Sequence, residues 1–209
     1  MKNLLLIASI LILTTGVARG QESETRNIGS FSGVKVTEGI DVYLKKGDKE
    51  SVRVEVTNTK IDNVITEISG SYLKVHMRDG NFRDNVDAKV YVTYVRIDKL
   101  SASSAGSIFS EGAIKSDNLE ISTSSAANIE VTIEASTVNV SASSAGEIEL
   151  QGRAKSLAVE ASSAGEINAY DLEAENVTAE ASSAGSAKVS VTTALTANAS
   201  SGGSVKKSN

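Results

Sequence analysis

The chain has 209 residues, of which 40% are hydrophobic and only 4% aromatic, and it carries a formal net charge of −5. This acidic balance, with no runs of basic residues, argues against nucleic acid or an anionic lipid surface as a partner. The chain contains no cysteine, which excludes disulfides, so stability must come from a packed core and from backbone hydrogen bonds.

Residues 1–20 have the features of a secretory signal peptide. Lys2 provides a positive start, Leu4 to Leu13 is almost wholly apolar, and Ala18-Arg19-Gly20 places small residues at the −3 and −1 positions of a cleavage site. The apolar part is too short to span a bilayer as a helix. We therefore expect export to the periplasm, the cell surface or the medium. Cleavage before Gln21 would remove two basic residues and change the charge from −5 to −7.

Residues 21–97 are predicted to combine a flexible start with irregular β structure. Residues 21–27 are polar, and from Ile28 onward short segments alternate apolar and polar residues, as strands do. Four of these segments contain an apolar residue at a regular spacing. The residues are Val36, Val54, Leu73 and Val90, which are 18, 19 and 17 positions apart. Residues 28–97 are therefore either the first, less uniform coils of a solenoid or a separate antiparallel cap.

A Ser-Ser-Ala-Gly-like tetrapeptide occurs six times in residues 98–205 and is followed by a short tail, residues 206–209. Successive copies are separated by 21, 19, 19, 20 and 18 residues. Such a drifting period is typical of a solenoid, which absorbs small insertions in its turns. The copies begin at Ser103, Ser124, Ser143, Ser162, Ser182 and Ser200.

Short strands flank each tetrapeptide. Apolar and polar residues alternate in Leu157-Ala158-Val159-Glu160-Ala161, and related segments begin at Leu119, Val138, Val177 and Leu195. Strands this short are stable only when each pairs with its equivalent in the next coil, about 4.8 Å away. The repeat therefore predicts an all-β protein, a parallel β-solenoid with coils of about 19 residues.

The tetrapeptides are expected to form the corners of the coils. Small residues suit a sharp turn, in which glycine can adopt a positive φ. We also expect the alanine column of the tetrapeptides to lie inside the corner, so that Ala164→Leu would overpack it at a cost of about 1–3 kcal/mol.

Three segments carry a resemblance to a known family: Phe31 to Val36, Gly39 to Leu44, and Val90 to Tyr94 leading into Leu100 to Gly106. Together, over residues 28–205, they resemble the head GIN domain family of exported bacterial proteins, described as putative autotransporter adhesins. The chain departs from the family pattern at Asp41, in place of the name-giving asparagine. It also departs at Tyr94-Val95, which lacks the proline often found after that strand. The resemblance implies a single-stranded right-handed β-helix and a role in adhesion, although fold alone does not establish function.

Catalytic and metal-binding patterns are weak in this sequence. His76 is the only histidine and no cysteine is present, so a zinc site built from histidines and cysteines cannot be assembled, and a lone histidine is more often a surface residue than the base of a Ser-His triad. The serines recur at six equivalent positions, which indicates turn geometry rather than nucleophilic chemistry. We therefore expect no catalytic residue, no metal and no cofactor.

Four glutamates are the candidate binding residues. Glu147 and Glu166 follow the glycine in consecutive coils and should stack about 5 Å apart, and Glu160 and Glu180 form a second such pair. Carboxylates at this spacing could contact a ligand, share a Ca²⁺ with backbone oxygens, or resemble the pair of a retaining glycosidase. Outward positions of an acidic solenoid are also commonly glutamate with no function beyond solvation.

Three functions remain open from the sequence. The leading hypothesis is a non-catalytic, adhesin-like protein that does not span a membrane and presents a repetitive acidic surface to a polysaccharide or a cell-surface protein. The second is a pectin-lyase-like carbohydrate-active enzyme, although neither an aromatic cleft nor a cluster of basic and acidic residues on one face is evident. The third is a structural protein that forms homo-oligomers through its terminal coil, Leu195 to Val205.

Overall fold

A computed structural model describes residues 21–80 and 86–208. These residues form an all-β solenoid of about five turns with coils of about 20 residues, and the described helical structure is one 3-10 turn, Ile61–Asn63. The predicted β-solenoid is therefore confirmed. The predicted signal peptide lies outside the described residues, and none of the helical structure within them is long and apolar enough to cross a membrane.

The strands fall into a short set and a long set. The short strands are β1 (Glu22–Arg26), β2 (Gly33–Val36), β3 (Asp41–Lys46), β4 (Ser51–Thr57), β5 (Val64–Ser69), β6 (Tyr72–Met77), β7 (Asp87–Tyr94) and β8 (Lys99–Ala102). The long strands, which bend to follow a coil, are β9 (Ser107–Thr123), β10 (Asn128–Ala142), β11 (Glu147–Ala161), β12 (Glu166–Ala181) and β13 (Ser186–Ala199), and the short β14 (Ser204–Lys207) follows them.

The long strands pair in parallel, and their register reproduces the spacing of the tetrapeptides. Ser107 pairs with Asn128, Asn128 with Glu147, and so on through Glu166, Ser186 and Ser204. These steps are 21, 19, 19, 20 and 18 residues long, as the repeat predicts. Each residue of one coil therefore lies beside its equivalent in the next.

This register builds apolar columns that run through the interior. One column contains Val90, Val42, Ile108, Ile129, Ile148, Ile167 and Ala187, all fully buried. Because side chains of a strand alternate between its two faces, the residues on either side of each column member point outward. Each buried valine or isoleucine stabilises the fold by about 1.5–3 kcal/mol relative to an exposed one.

The N-terminal region contributes both kinds of structure that the sequence left open. β2 lies in parallel between β6 and β8, and β3 lies in parallel between β7 and β9. The coil formed by β2 and β3 is thus stacked between that of β6 and β7 and that of β8 and β9, although it comes first in the chain. β1, β4 and β5 are antiparallel to their partners β4, β7 and β6 and cover this end of the solenoid.

β1 lies within residues 21–27, and the side chain of Arg26 connects it to the neighbouring strand β5. The Arg26 guanidinium donates hydrogen bonds to the carbonyl oxygen of Val64 at 2.6 Å and that of Ile61 at 3.1 Å. It also donates to the hydroxyl of Thr66 at 3.2 Å. These contacts tie β1 to the start of β5.

The tetrapeptides form the corners, but the positive φ angles fall on different residues from those expected. In the fourth copy Ser163 and Ala164 have φ of 49° and 61°, and the N–H of Gly165 donates to the carbonyl of Ser162 at 2.8 Å. Two consecutive positive φ angles closed by this bond are typical of a type I′ turn. The N–H of Ala164 donates to the carbonyl of Ser183 at 3.0 Å, so the ladder between coils continues through the corner.

The glycine is required for close packing instead. A Cβ placed on Gly165 would lie 2.4 Å from the carbonyl oxygen of Ala142 in the preceding coil, and Gly185 and Gly203 are equally confined. Ala164, by contrast, is exposed. The expectation that Ala164→Leu overpacks the corner is therefore wrong, because the alanine column faces solvent and the glycine column faces the neighbouring coil.

We expect Gly165→Ala to lower the free energy of unfolding by about 1–3 kcal/mol, because the new methyl group overlaps the Ala142 carbonyl. The matched variant Ala164→Leu keeps the Cβ and the φ of the native residue and extends into solvent, so its effect should stay within about 0.5 kcal/mol. Urea unfolding of both variants makes the comparison. A larger decrease in the free energy of unfolding for Ala164→Leu would mean that Ala164, rather than Gly165, faces the neighbouring coil.

Candidate functional site

The candidate site is the outward face of the sheet that runs from β4 through β7 and β3 into the first halves of β9 to β12. We call it the ladder face, and its side chains lie in two adjacent columns. One column contains Arg53, Tyr91, Tyr43, Phe109, Glu130, Glu149 and Asn168, and the other contains Asp41, Ser107, Asn128, Glu147 and Glu166.

Three aromatic rings stack at one end of the ladder face. The ring centroids of Tyr43 and Tyr91 are 5.3 Å apart with planes inclined by 20°, and those of Tyr43 and Phe109 are 5.3 Å apart with planes inclined by 23°. The guanidinium carbon of Arg53 lies 4.2 Å from the centroid of Tyr91, a cation–π contact that extends the stack. All three rings are partly exposed, so the stack forms an amphipathic strip on the surface.

Sequence reasoning missed this strip. The chain has five tyrosines, three phenylalanines and no tryptophan, and this low content argued against an aromatic cleft. Three of the eight meet because the coil of β3 is inserted between those of β7 and β9. The available signal was local: Tyr43 and Tyr91 each stand between two apolar residues, which marks them as outward positions on half-buried strands.

Burial and nearby charges shift the pKa of the central phenol of the strip. Partial burial, and next the negative charge of Asp41, raise the pKa of Tyr43 above its ordinary value. The Asp87 carboxylate, 3.6 Å from the Lys89 ammonium, raises the pKa of that lysine. The strip thus presents the Tyr43 hydroxyl as a hydrogen-bond donor, and Lys89 adds a cation in the neighbouring column.

The first predicted glutamate pair lies on the ladder face. Glu147 and Glu166 are in register on β11 and β12, and Glu130 and Glu149 are in register in the adjacent column. The Lys188 ammonium lies 2.6 Å from a carboxylate oxygen of Glu166, and this hydrogen bond raises the pKa of the lysine. The face therefore continues from the aromatic strip into a group of carboxylates.

The second predicted pair lies elsewhere. Glu160 and Glu180 are also in register, but they precede the tetrapeptide corner, whereas Glu147 and Glu166 follow it. With Glu120 they line a shallow depression on this other face. In residues 21–80 and 86–208 no three histidine or acidic side chains are grouped closely enough to hold a metal ion.

A third feature is a groove of about 950 Å³ along β9 to β13, lined by alternating charges. Lys115, Glu134, Arg153 and Glu173 follow one another in register. One carboxylate oxygen of Glu134 lies 3.0 Å from Arg153 and 3.2 Å from Lys115. The Arg153 hydrogen bond first, and that of Lys115 second, lower the pKa of Glu134. The sequence did not suggest this cluster of basic and acidic residues.

The groove has little capacity for acid–base catalysis at Glu134. A general base needs a pKa near the working pH, and two cations hold this carboxylate ionised. Its remaining lone pairs can accept hydrogen bonds, which suits binding rather than proton transfer.

A family profile described as "Putative auto-transporter adhesin, head GIN domain" matches residues 30–209. A search of curated proteins found no match.

Several solved structures share the fold. A putative adhesin from Bacteroides fragilis has 15% identity and a TM-score of 0.76, with coverage of 91% of this chain and 98% of that one. For a putative adhesin from Parabacteroides distasonis the identity is 17%, the TM-score 0.68, and the coverage 91% and 98%. For a putative lipid binding protein from the same organism these values are 18%, 0.65, 90% and 97%. At such low identities the likeness shows the fold alone.

The pKa of Glu134 gives a direct test of the charged groove. Titration of its side-chain carboxyl by NMR should give a pKa below the ordinary glutamate value, and Arg153→Gln should raise it, because the principal hydrogen bond is removed. Since the folded-state pKa is the lower one, the ion pair stabilises the fold above the unfolded-state pKa, and this contribution is lost as the pH falls through the folded-state value. Arg53→Gln, at a distant cation, is the control. An unchanged titration in Arg153→Gln would contradict the ion pair.

Proposed function

The chain belongs to the head GIN domain family, whose members are described as putative auto-transporter adhesins, and on that basis we propose that it is an exported, non-catalytic protein that binds a polysaccharide along the ladder face. The match confirms the resemblance drawn from residues 28–205. The family description supports export and adhesion in general terms, and the choice of face and ligand rests on the arguments below.

The observation that carries the proposal is the continuity of the aromatic strip with the carboxylates. A tyrosine side chain combines a large apolar ring with a hydroxyl group, so it can both pack against a ligand and form a hydrogen bond with it. Tyr43 and Tyr91 present such rings beside Arg53. The side-chain oxygens of Glu130, Glu147, Glu149 and Glu166 supply acceptors for sugar hydroxyl groups.

The geometry favours an extended polymer over a small ligand. Equivalent side chains recur at each coil, about 4.8 Å apart, along a sheet face that does not enclose them. A polymer that lies along the columns can contact several coils at once, and the second and later contacts benefit from high effective concentration. A monosaccharide would reach only one or two of these groups.

Two features favour binding over catalysis. The carboxylates of the ladder face are on an open surface, whereas enzymes place charge-stabilising groups where water is excluded. In the groove, Glu134 is held between Arg153 and Lys115 and is a poor proton acceptor. Both support the adhesin-like hypothesis over the pectin-lyase-like one.

A glycan array probed with residues 21–209, with and without Ca²⁺, tests the function. We expect binding to one or more polysaccharides without added Ca²⁺, because the described residues hold no preformed group of three ligands. Each bound polysaccharide should remain uncleaved after prolonged incubation. Cleavage would support the enzyme hypothesis, and an absence of binding to every glycan on the array would favour a protein partner.

Matched pairs of variants test the site. Glu147→Gln with Glu166→Gln, and separately Tyr43→Ala, should each weaken binding by about tenfold or more, since hydrogen bonds to charged groups contribute about 1.5–3 kcal/mol. Glu160→Gln with Glu180→Gln makes the same chemical change across the corner and should retain most of the affinity. If affinity is lost in the Glu160 and Glu180 variant and retained in the Glu147 and Glu166 variant, the binding site lies on the face of Glu160 and Glu180. Binding that requires Ca²⁺ and is lost only in the first pair would indicate a cation between those two carboxylates.

A further inference from the structure

One edge of the solenoid is open at its C-terminal end. Ala194–Ala199 of β13 pair with Asn176–Ala181 of β12 on one side, while β14 pairs only with Ser186–Val189. Within the part of the chain that the structure describes, no strand pairs with residues 194–199 on their other side. Their outer row of N–H and C=O groups is therefore available for another strand.

The side chains at this edge do not protect it from pairing. Residues 189–205 contain no charged residue, whereas the equivalent stretch of the preceding coil contains four, Asp171, Glu173, Glu175 and Glu180. Natural edge strands are commonly shielded by charges or proline, and the chain has no proline. The stretch without charged side chains therefore includes the strand whose outer backbone groups are unpaired.

The interior of the last coil is also only partly covered. Val177, Ala179 and Ala181 are buried beneath β13, but their in-register neighbours Ala197 and Ala199 are exposed and Leu195 is only partly buried. A strand added at this edge would bury these three residues and extend the core by one layer.

The opposite end of the solenoid is different. Its outer strand, β1, has the sequence Glu-Ser-Glu-Thr-Arg, and its first four residues are exposed. Arg26 is engaged with β5 and with Glu24, 2.8 Å away. The uncharged edge of residues 194–199 has no charges to complement those of β1. Stacking it on β1 would also remove Glu22 and Glu24 from water, which costs free energy.

We propose that residues 194–198 of β13 pair with the same residues of a second copy, in antiparallel orientation and centred on Thr196, to form a two-fold symmetric dimer. The self-complementary edge suits an isologous interface, which closes after two copies and does not continue into a filament. The dimer carries two ladder faces in one particle, so it would strengthen attachment to a polymer without any new contact to it. The dimer can be tested without a glycan, so the outcome is independent of the proposed function.

Light scattering of the purified protein over a range of concentrations measures the association. The native chain should reach twice the monomer mass, and Thr196→Lys should raise the dissociation constant at least about tenfold, because like charges meet across an antiparallel pair. Thr178→Lys is the matched control, since Thr178 is exposed and pairs with Thr196 in the same column one coil further in. A native protein that stays monomeric at millimolar concentration overturns the proposal. The proposal is also overturned if both variants retain the native melting temperature and weaken dimer association equally.

Single-cysteine cross-linking distinguishes the two possible orientations, because the native chain has no cysteine. Thr196→Cys should form disulfide-linked dimers under mild oxidation, while Thr178→Cys and Glu22→Cys should remain monomeric on a denaturing gel. When the Thr196→Cys and Glu22→Cys proteins are mixed, a product between residues 22 and 196 in place of the 196–196 product would show head-to-tail stacking and overturn the two-fold arrangement.

Discussion

The in-register parallel pairing of successive coils is the constraint on which the rest of the structure depends. Because Ser107, Asn128, Glu147 and Glu166 pair in sequence, every chemical property of one coil is repeated about 4.8 Å away in the next. Apolar residues become buried columns, and outward residues become the ladder face and the charged groove. A change at one position therefore acts on a column rather than on an isolated side chain.

The corners maintain this register at a local cost. Ser163 and Ala164 adopt positive φ, which costs L-residues roughly 1–2 kcal/mol each. Such a conformation persists only where its surroundings determine it. Here the Gly165 N–H closes the turn, the Ala164 N–H bonds to the next coil, and the absence of a Cβ on Gly165 lets the preceding coil approach. The tetrapeptide is thus conserved from coil to coil within this chain for its backbone geometry, not for serine chemistry.

The two ends of the stack differ in chemistry, and this difference connects the fold to its proposed roles. Near the N-terminal end, antiparallel strands cover the coils, and the aromatic strip and Arg53 lie on the adjoining ladder face. Toward the C-terminal end the interior side chains become smaller, as where Ala187 follows Ile167, and residues 189–205 carry no charge. The proposed glycan contact and the proposed dimer edge therefore occupy separate parts of one sheet, so each can be disrupted without disturbing the other.

The regular half of the molecule could be predicted from the sequence, because coils stack in chain order there and the spacing of the tetrapeptides equals the register. The pairing of Glu147 with Glu166 and of Glu160 with Glu180 followed from the same arithmetic. Three features required the tertiary structure: the insertion of the β3 coil between those of β7 and β9, the aromatic contacts it creates at Tyr43, and the outward orientation of Ala164. A repeat specifies which residues are equivalent, and it does so locally. The order in which non-equivalent coils stack, and the side of a corner that faces its neighbour, depend on long-range backbone pairing and close packing, which leave no periodic signal in the sequence.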